Sequence, residues 1–191
     1  GRTLGGSSSI NGLVYNRGQA ADYDAWAQMG NRGWSYEDVL PFFRRTEKRL
    51  GEGDDRLRGR DGGLYVTDLD WHHPLCDAFV KGAMEAGIPF NPDYNGAEQA
   101  GVGYYQRVIH KGQRRSSARS FLKAALKRPN LTLIANAQVS RVNFADRKAV
   151  GVTVQRPDGS EQTLGANLEV VIAAGAVNSP RLLQVSGIGP A

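Results

Sequence analysis

Cysteine is almost absent from this sequence, and long apolar runs are missing as well. Cys76 is the single cysteine among 191 residues, and one cysteine cannot form an internal disulfide, so a disulfide-stabilised scaffold is excluded. No apolar run approaches the roughly 20 residues that a membrane-spanning helix needs. A reducing compartment is compatible with this composition, and we expect a cytoplasmic protein, with membrane association as the alternative.

Histidine is also scarce, with three residues in the chain. His72 and His73 are adjacent, so their side chains diverge in an extended segment, and no second His, Cys or carboxylate pair stands at ligand spacing. We therefore expect no metal site. The sequence also has no stripe of basic residues. Its net charge is +5, but the basic residues are spread among acidic ones. A nucleic-acid partner is not expected.

Glycine, in contrast, is plentiful, and the first twelve residues concentrate it. Gly1–Gly12 reads GRTLGGSSSING. Glycines let the backbone turn tightly and approach another molecule closely, and serine adds hydroxyls beside free N–H groups that can hold an anion. The pattern predicts a loop that holds a phosphate, and a plain turn or linker is the alternative.

A second informative stretch lies near the other end of the chain. The apolar run Leu168–Ala174 predicts a strand that is buried on both faces and closed by Gly175. Ser179 as N-cap and Pro180 at the first helical position predict a short helix that ends before Gly187. A strand, a glycine and a helix in this order bring the backbone of a dinucleotide-binding fold close to its cofactor.

The segment between these stretches contains further helices and a polar connection. Ser35 and Asp38 form a capping box for one helix, and Pro74–Ala86 predicts another that ends before Gly87. Residues 51–63 are rich in Gly, Asp and Arg, which predicts a surface loop.

Strands and one more helix follow. Residues Val102–Ile109 are predicted as a strand, and Ser117 is predicted to cap a helix over Ala118–Leu126. Phosphate binding by the basic segment 111–119 is the alternative prediction for these residues. Period-two runs then predict three strands, at residues 131–135, 139–144 and 149–154. The fold class is therefore α/β, in a mixed α+β arrangement.

The two stretches Gly1–Gly12 and Gly175–Gly189 resemble the two signatures of the glucose-methanol-choline flavoprotein oxidoreductases, in particular the choline dehydrogenase-like members. The resemblance implies part of an FAD-binding Rossmann-like domain and part of an antiparallel-sheet substrate domain. It divides the chain into a first FAD-domain part (1–50), a lid-like loop with a substrate-domain part (51–115) and a return to the FAD domain (116–191). It also implies that the chain is an internal fragment.

The resemblance further implies which residues contact FAD. The cofactor-binding set is Gly5, Gly6, Ser7, Asn11, Gly12, Val14, Val139 and Gly175. A buried strand position explains a valine at Val139 nearly as well as an adenine contact does. Some relatives attach FAD covalently through a histidine at the position of Ile10, and an isoleucine cannot form that bond, so noncovalent FAD is expected.

The implied reaction oxidises an alcohol to an aldehyde or ketone, with oxygen, a quinone or another carrier as electron acceptor. The catalytic histidine of the family is expected beyond Ala191, and His72, His73 and His110 do not match it. Two alternatives stay open: a noncatalytic binding or structural module, and a hydroxynitrile lyase on the same scaffold.

Overall fold

A computed structural model describes residues 1–190, and the chain divides into two compact units. The first unit is Gly1–Leu131, and the second begins at Thr132. No helix of residues 1–190 combines the length and apolarity needed to cross a bilayer. Helices are α1 (Ala20–Gln28), α2 (Tyr36–Thr46), α3 (Pro74–Glu85), α4 (Lys123–Ala125) and α5 (Gly175–Val185). Strands are β1 (Glu47–Arg49), β2 (Leu64–Val66), β3 (Ile109–His110), β4 (Gln113–Arg114), β5 (Gln138–Ala145), β6 (Lys148–Gln155) and β7 (Glu161–Gly165).

The helix ends in the first unit follow the predicted capping chemistry. The Ser35 and Asp38 side chains accept reciprocal backbone N–H groups, which confirms the capping box at the start of α2. Pro74 opens α3, and Gly87 follows its end with φ +90°. The N–H groups of Gly87 and Ile88 donate to the last free carbonyls of α3, at 3.0 Å each, so this end is a Schellman motif.

The first unit has two small sheets and a polar interior. Strands β1 and β2 pair in parallel, and β3 and β4 form an antiparallel hairpin. Val66 and Glu47 are fully buried. Arg58 and Gln106 are almost fully buried, so polar side chains occupy much of this interior. The prediction that residues 51–63 form a surface loop is therefore wrong at Arg58, because this side chain points inward to a buried carboxylate.

Two further predictions for the first unit are wrong. Residues Val102–Ile109 do not form one strand, because the segment changes partners: Val102 bridges Phe90, and Arg107 bridges Val14 and Thr67. Ser117 does not cap the following helix with its side chain. The segment Ala118–Leu122 is a π-helical turn that leads into α4, and Ser116 Oγ accepts the Arg119 N–H at 3.4 Å.

The second unit is a three-stranded antiparallel sheet with one helix. The order is β5-β6-β7, which confirms strands at 139–144 and 149–154, while β7 was not predicted. Val142, Val154 and Leu182 are buried there. Ser186 Oγ, at the end of α5, accepts the Val142 N–H at 2.8 Å, so the helix is fastened to β5.

Other predictions for the second unit are wrong. Residues 131–135 are not a strand, and Leu168–Ala174 is irregular and exposed, with Leu168 at 91% and Val171 at 78% exposure. A strand requires a hydrogen-bonded neighbour, and none of the strands in residues 1–190 pairs with this run. Helix α5 begins at Gly175, so Pro180 lies inside it, and Ser179 Oγ accepts the Ala174 N–H at 3.0 Å.

Candidate functional site

The Gly/Ser loop at the start of the chain folds as a tight turn. Gly5 and Gly6 have φ +88° and +54°, and one 3-10 turn covers Gly6–Ser9. Ser9 Oγ donates to the Leu4 carbonyl at 2.7 Å, which closes the turn from within. The tight turn that the glycines predicted is confirmed, and both glycines adopt the left-handed backbone that a side chain disfavours.

A second segment of the first unit packs against this loop. The Ser117 N–H donates to Ser8 Oγ at 2.9 Å, and Ser117 Oγ donates to the Gly5 carbonyl at 3.2 Å. A Cβ on Gly5 would lie 3.1 Å from the Ala118 Cβ and 2.5 Å from Ser9 Oγ. Gly5 is thus required for two reasons, its positive φ and the lack of space around it.

The next predicted residues, Asn11, Gly12 and Val14, continue along the same surface. Asn11 Oδ1 accepts from Arg114 Nη1 at 2.7 Å and from the Leu13 N–H at 3.1 Å. Leu13 has φ +71°, which is strained for a residue with a side chain. Its carbonyl accepts the Val108 N–H at 2.9 Å, and this bond holds the strained segment in place.

The exposed groups of this surface fit a flavin cofactor. A Cβ built on Gly6 or on Gly12 would meet nothing within 4 Å, so open space lies beside both glycines. Leu4, Ile10 and Val14 are exposed apolar side chains around the loop. A flavin combines an apolar ring with polar edges and phosphates, and a surface of bare backbone, hydroxyls and apolar side chains provides groups for each part.

A buried charged cluster lies under the segment that carries Val14, and the sequence did not predict it. The Glu47 carboxylate pairs with Arg17 and Arg58, and it accepts the Gly59 N–H at 2.9 Å. Arg58 also pairs with Asp93. No local pattern marks these residues, because they come from four distant segments and each looks like an ordinary surface charge.

Buried amides connect the charged cluster to the candidate site. Asn95 Oδ1 accepts the Arg17 N–H at 2.9 Å, and Asn95 Nδ2 donates to the Tyr15 carbonyl at 3.1 Å. Gln106 accepts the Tyr15 N–H on its carbonyl at 3.0 Å. Burial raises the pKa of the Tyr15 phenol, while nearby Arg17 opposes that shift. The N–H and the carbonyl of Tyr15, which follows Val14, are therefore both bonded to buried residues.

Val139 and Gly175 belong to the second unit. Val139 is half-buried in β5 opposite Val154, and Gly175 starts α5 with φ +91° and open space around it. The first unit brings Gly5, Gly6, Ser7, Asn11, Gly12 and Val14 together on one continuous segment. The contacts of all eight residues with FAD stay predictions.

The three histidines lie among aromatic rings. His72 stacks on Tyr104 with centroids 4.1 Å apart, His73 contacts Trp71 edge to face, and His110 stacks on Tyr65 at 4.3 Å. Tyr104 donates to Asp77 at 2.5 Å. Within residues 1–190, no group of three or more His, Cys, Asp or Glu side chains is arranged to hold a metal ion.

Comparison with known proteins gives consistent results. An oxygen-dependent choline dehydrogenase from Brucella anthropi is 48% identical over 191 residues, which is 100% of this chain and 34% of the relative. An FAD-dependent oxidoreductase from Chaetomium thermophilum has a TM-score of 0.89 at 30% identity, covering 96% of this chain and 34% of that chain. Pyridoxine 4-oxidase from Mesorbium loti has a TM-score of 0.88 at 32% identity, covering 96% of this chain and 36% of that chain.

This chain thus spans about a third of the length of the curated relatives it matches. The family model described as GMC oxidoreductase matches residues 1–191, the whole of the chain. The motifs at both ends had suggested the same family from the residues alone. The chain belongs to the GMC oxidoreductase family.

Proposed function

We propose that the protein is an FAD-dependent oxidoreductase that oxidises an alcohol to an aldehyde or ketone. Membership of the GMC family supports this proposal, as do the names of its relatives, a choline dehydrogenase and a pyridoxine oxidase among them. The observation that carries it in this chain is the surface Gly5–Val14, where open glycine backbone lies beside exposed apolar side chains. A choline-like, aliphatic or aromatic alcohol is the proposed substrate.

When it is bound, FAD supplies a ring system that accepts a hydride from the alcohol carbon. The chain's own contribution is to bind and orient this group. Gly5, Gly6 and Ser7 are proposed to hold the phosphate and ribityl part, and Asn11, Gly12 and Val14 to line the ring. Val139 is proposed at the adenine and Gly175 near the cofactor at the start of α5.

The electron acceptor is proposed to be oxygen, because the choline dehydrogenase relatives are named oxygen-dependent. A quinone or another carrier is the alternative outcome. None of the three histidines is proposed as the catalytic base, since each contacts a neighbouring aromatic ring, two of them stacked and His73 edge to face. A hydroxynitrile lyase and a noncatalytic module are not proposed, because the relatives carry oxidoreductase names. A cytoplasmic location stays a prediction.

The test is the visible absorption spectrum of the complete protein that contains this chain, recorded without oxygen before and after addition of choline and a panel of alcohols. We expect flavin bands that bleach with one class of alcohol. Readmitting air should restore the bands if oxygen is the acceptor. A protein that stays colourless after FAD is supplied would contradict the proposal.

The same sample tests the mode of attachment. After acid precipitation, the flavin should appear in the supernatant, because Ile10 offers no nucleophilic side chain for a covalent bond. Flavin that stays with the precipitated polypeptide would contradict noncovalent binding.

A further inference from the structure

We infer that Arg114 is a positioning residue, which orients the side-chain amide of Asn11 so that Asn11 Nδ2 is a hydrogen-bond donor to the flavin. The inference rests on the proposed function and names a residue outside the predicted cofactor-binding set. It depends on the hydrogen bonds that converge on Asn11.

Arg114 directs one guanidinium nitrogen at Asn11 twice. Nη1 donates to Asn11 Oδ1 at 2.7 Å and to the Asn11 carbonyl at 2.8 Å. That nitrogen carries two N–H groups, so its two short contacts are both with Asn11, and a longer contact of the same nitrogen reaches the Ser8 carbonyl at 3.4 Å. A bond from a charged donor is about twice as strong as a neutral one, which makes this contact the strongest restraint on the asparagine.

The orientation of the Asn11 amide follows from its two donors. Asn11 Oδ1 also accepts the Leu13 N–H at 3.1 Å, so both of its lone pairs are occupied. A flipped amide would place its NH2 group against a guanidinium N–H and a backbone N–H, which is repulsive on both sides. Asn11 Nδ2 therefore faces away from these donors, and it has no hydrogen-bond acceptor in the part of the chain that the structure describes.

The hairpin β3-β4 places Arg114 for this contact. Arg114 lies opposite Ile109 in the hairpin, and the Arg115 N–H donates to the Val108 carbonyl at 2.8 Å. Val108 in turn donates its N–H to the Leu13 carbonyl at 2.9 Å. The guanidinium and the strained Leu13 are thus held by the same short piece of backbone, so Asn11 is oriented before any cofactor binds.

A lysine cannot replace this arginine without loss. An ammonium group keeps the charge and also carries several N–H groups on one nitrogen, but these rotate freely, whereas the plane of the guanidinium fixes the directions of the two Nη1 N–H groups. Arg114→Lys should therefore keep the protein folded and lose part of the orientation of Asn11.

The test uses the complete protein loaded with FAD. Arg114→Ala should raise the FAD dissociation constant about 10-fold, as expected for the loss of one good hydrogen bond at 1.4 kcal/mol per factor of ten. The flavin midpoint potential should become more negative, because a lost donor disfavours the electron-rich reduced ring. Arg114→Lys should lie between Arg114→Ala and the wild type.

Two controls separate positioning from a merely structural role. Arg119→Ala removes another arginine of the same segment, whose Nη1 donates to the Gln113 side chain and, among residues 1–190, makes no hydrogen bond with the loop; it should change neither the dissociation constant nor the potential. Arg114→Ala should have a smaller effect in the Asn11→Ala background than in the wild type, because the side chain through which Arg114 acts is then absent and only its contacts with backbone carbonyls remain to be lost. Effects that multiply would overturn the inference.

The outcomes distinguish this inference from the proposed function. A wild-type protein that binds no FAD would overturn the proposed function and this inference with it. If the wild type binds flavin but Arg114→Ala has the same FAD affinity and midpoint potential as Arg119→Ala, only the role of Arg114 is overturned.

Discussion

The first unit buries charge at its centre, whereas the second buries valine and leucine. In the first, Glu47 is 0% exposed and bonded to two arginines. In the second, Val142 and Val154 of the sheet and Leu182 of α5 are the buried apolar side chains. Apolar packing tolerates substitutions of similar volume, but a buried ion pair fails when either partner is removed.

The difference matters for the candidate site because the first unit carries the Gly/Ser loop. The backbone around Val14 is bonded to Gln106 and Asn95, which are bonded in turn to the charged cluster. Charged hydrogen bonds fix direction as well as distance, so the loop is supported by directional contacts. The sheet of the second unit instead holds α5 through apolar burial and one serine bond to Val142.

The largest effect is expected from Glu47→Gln, which removes the central charge of the first unit. Arg17 would remain buried without a carboxylate partner and Arg58 would keep only Asp93, so the free energy of unfolding should fall by about 3–5 kcal/mol. Chemical denaturation of the complete protein measures this loss. Hydrogen exchange should increase in peptides around Gly59, whose N–H donates to the Glu47 carboxylate.

Asp55→Asn is the matched control for Glu47→Gln. Asp55 pairs with Arg60 at 2.6 Å, but its side chain is 75% exposed, so the change should cost less than about 1 kcal/mol. Equal losses for the two variants would contradict the contrast between buried and exposed pairs.

The second largest effect is expected in the second unit, whose buried side chains are apolar. Leu182→Ala should lower the free energy of unfolding by about 2–4 kcal/mol, because a buried leucine leaves a cavity behind. Val185→Ala, on the same helix but 54% exposed, should cost under about 1 kcal/mol. Faster hydrogen exchange confined to β5 and α5 is the expected signature of Leu182→Ala, and faster exchange around Gly59 would break the comparison.

The same contrast explains which features the sequence could predict. The β5-β6 hairpin and the ends of α2 and α3 were predictable because alternation, capping residues and glycine stops act within a few residues. The Glu47 cluster was not, since its paired residues are separated by up to 35 residues and no periodicity links them. Leu168–Ala174 has the composition of a strand, but pairing depends on a neighbour that composition does not reveal.

The candidate site was partly predictable for the same reason. Gly5 and Gly6 were found because left-handed backbone selects glycine locally. Arg114 and Ser117 were missed, since they contact the loop from more than 100 residues away. The basic segment 111–119 looked like a phosphate site or a helix cap, and nothing local distinguishes those uses from a contact with the first loop.

Gly5→Ala should have the third largest effect. A Cβ there meets Ser9 Oγ and Ala118 in a backbone with φ +88°, so strain and crowding add to about 2–3 kcal/mol. Gly187→Ala is the control in the second unit, because its φ of +84° is similar but its surroundings are open. It should cost about 1 kcal/mol from strain alone. Equal losses would mean that the contact between the loop and Ala118 adds nothing.

The smallest effect is expected at His110 in β3, where neighbouring positive charges change the pKa of the imidazole. Partial desolvation, together with the positive Arg115, Lys111 and Lys48, lowers the pKa of this imidazole below the ordinary value of about 6.5. Because the pKa is lower in the folded than in the unfolded state, the contribution of His110 to stability is present above the unfolded pKa. It is lost as the pH falls through the folded pKa. NMR of selectively labelled histidine should give a lower titration midpoint in the native protein than in urea.

Arg115→Gln tests the electrostatic part of that shift. The Arg115 guanidinium lies over the Tyr65 ring at 4.7 Å from its centroid, and His110 stacks on the same ring at 4.3 Å, so the arginine charge is held close to the imidazole. Removing the arginine charge should raise the His110 midpoint toward its value in urea, while desolvation keeps the recovery incomplete. A midpoint that does not move would contradict the contribution of Arg115 and would leave desolvation and the two lysines as the causes of the shift.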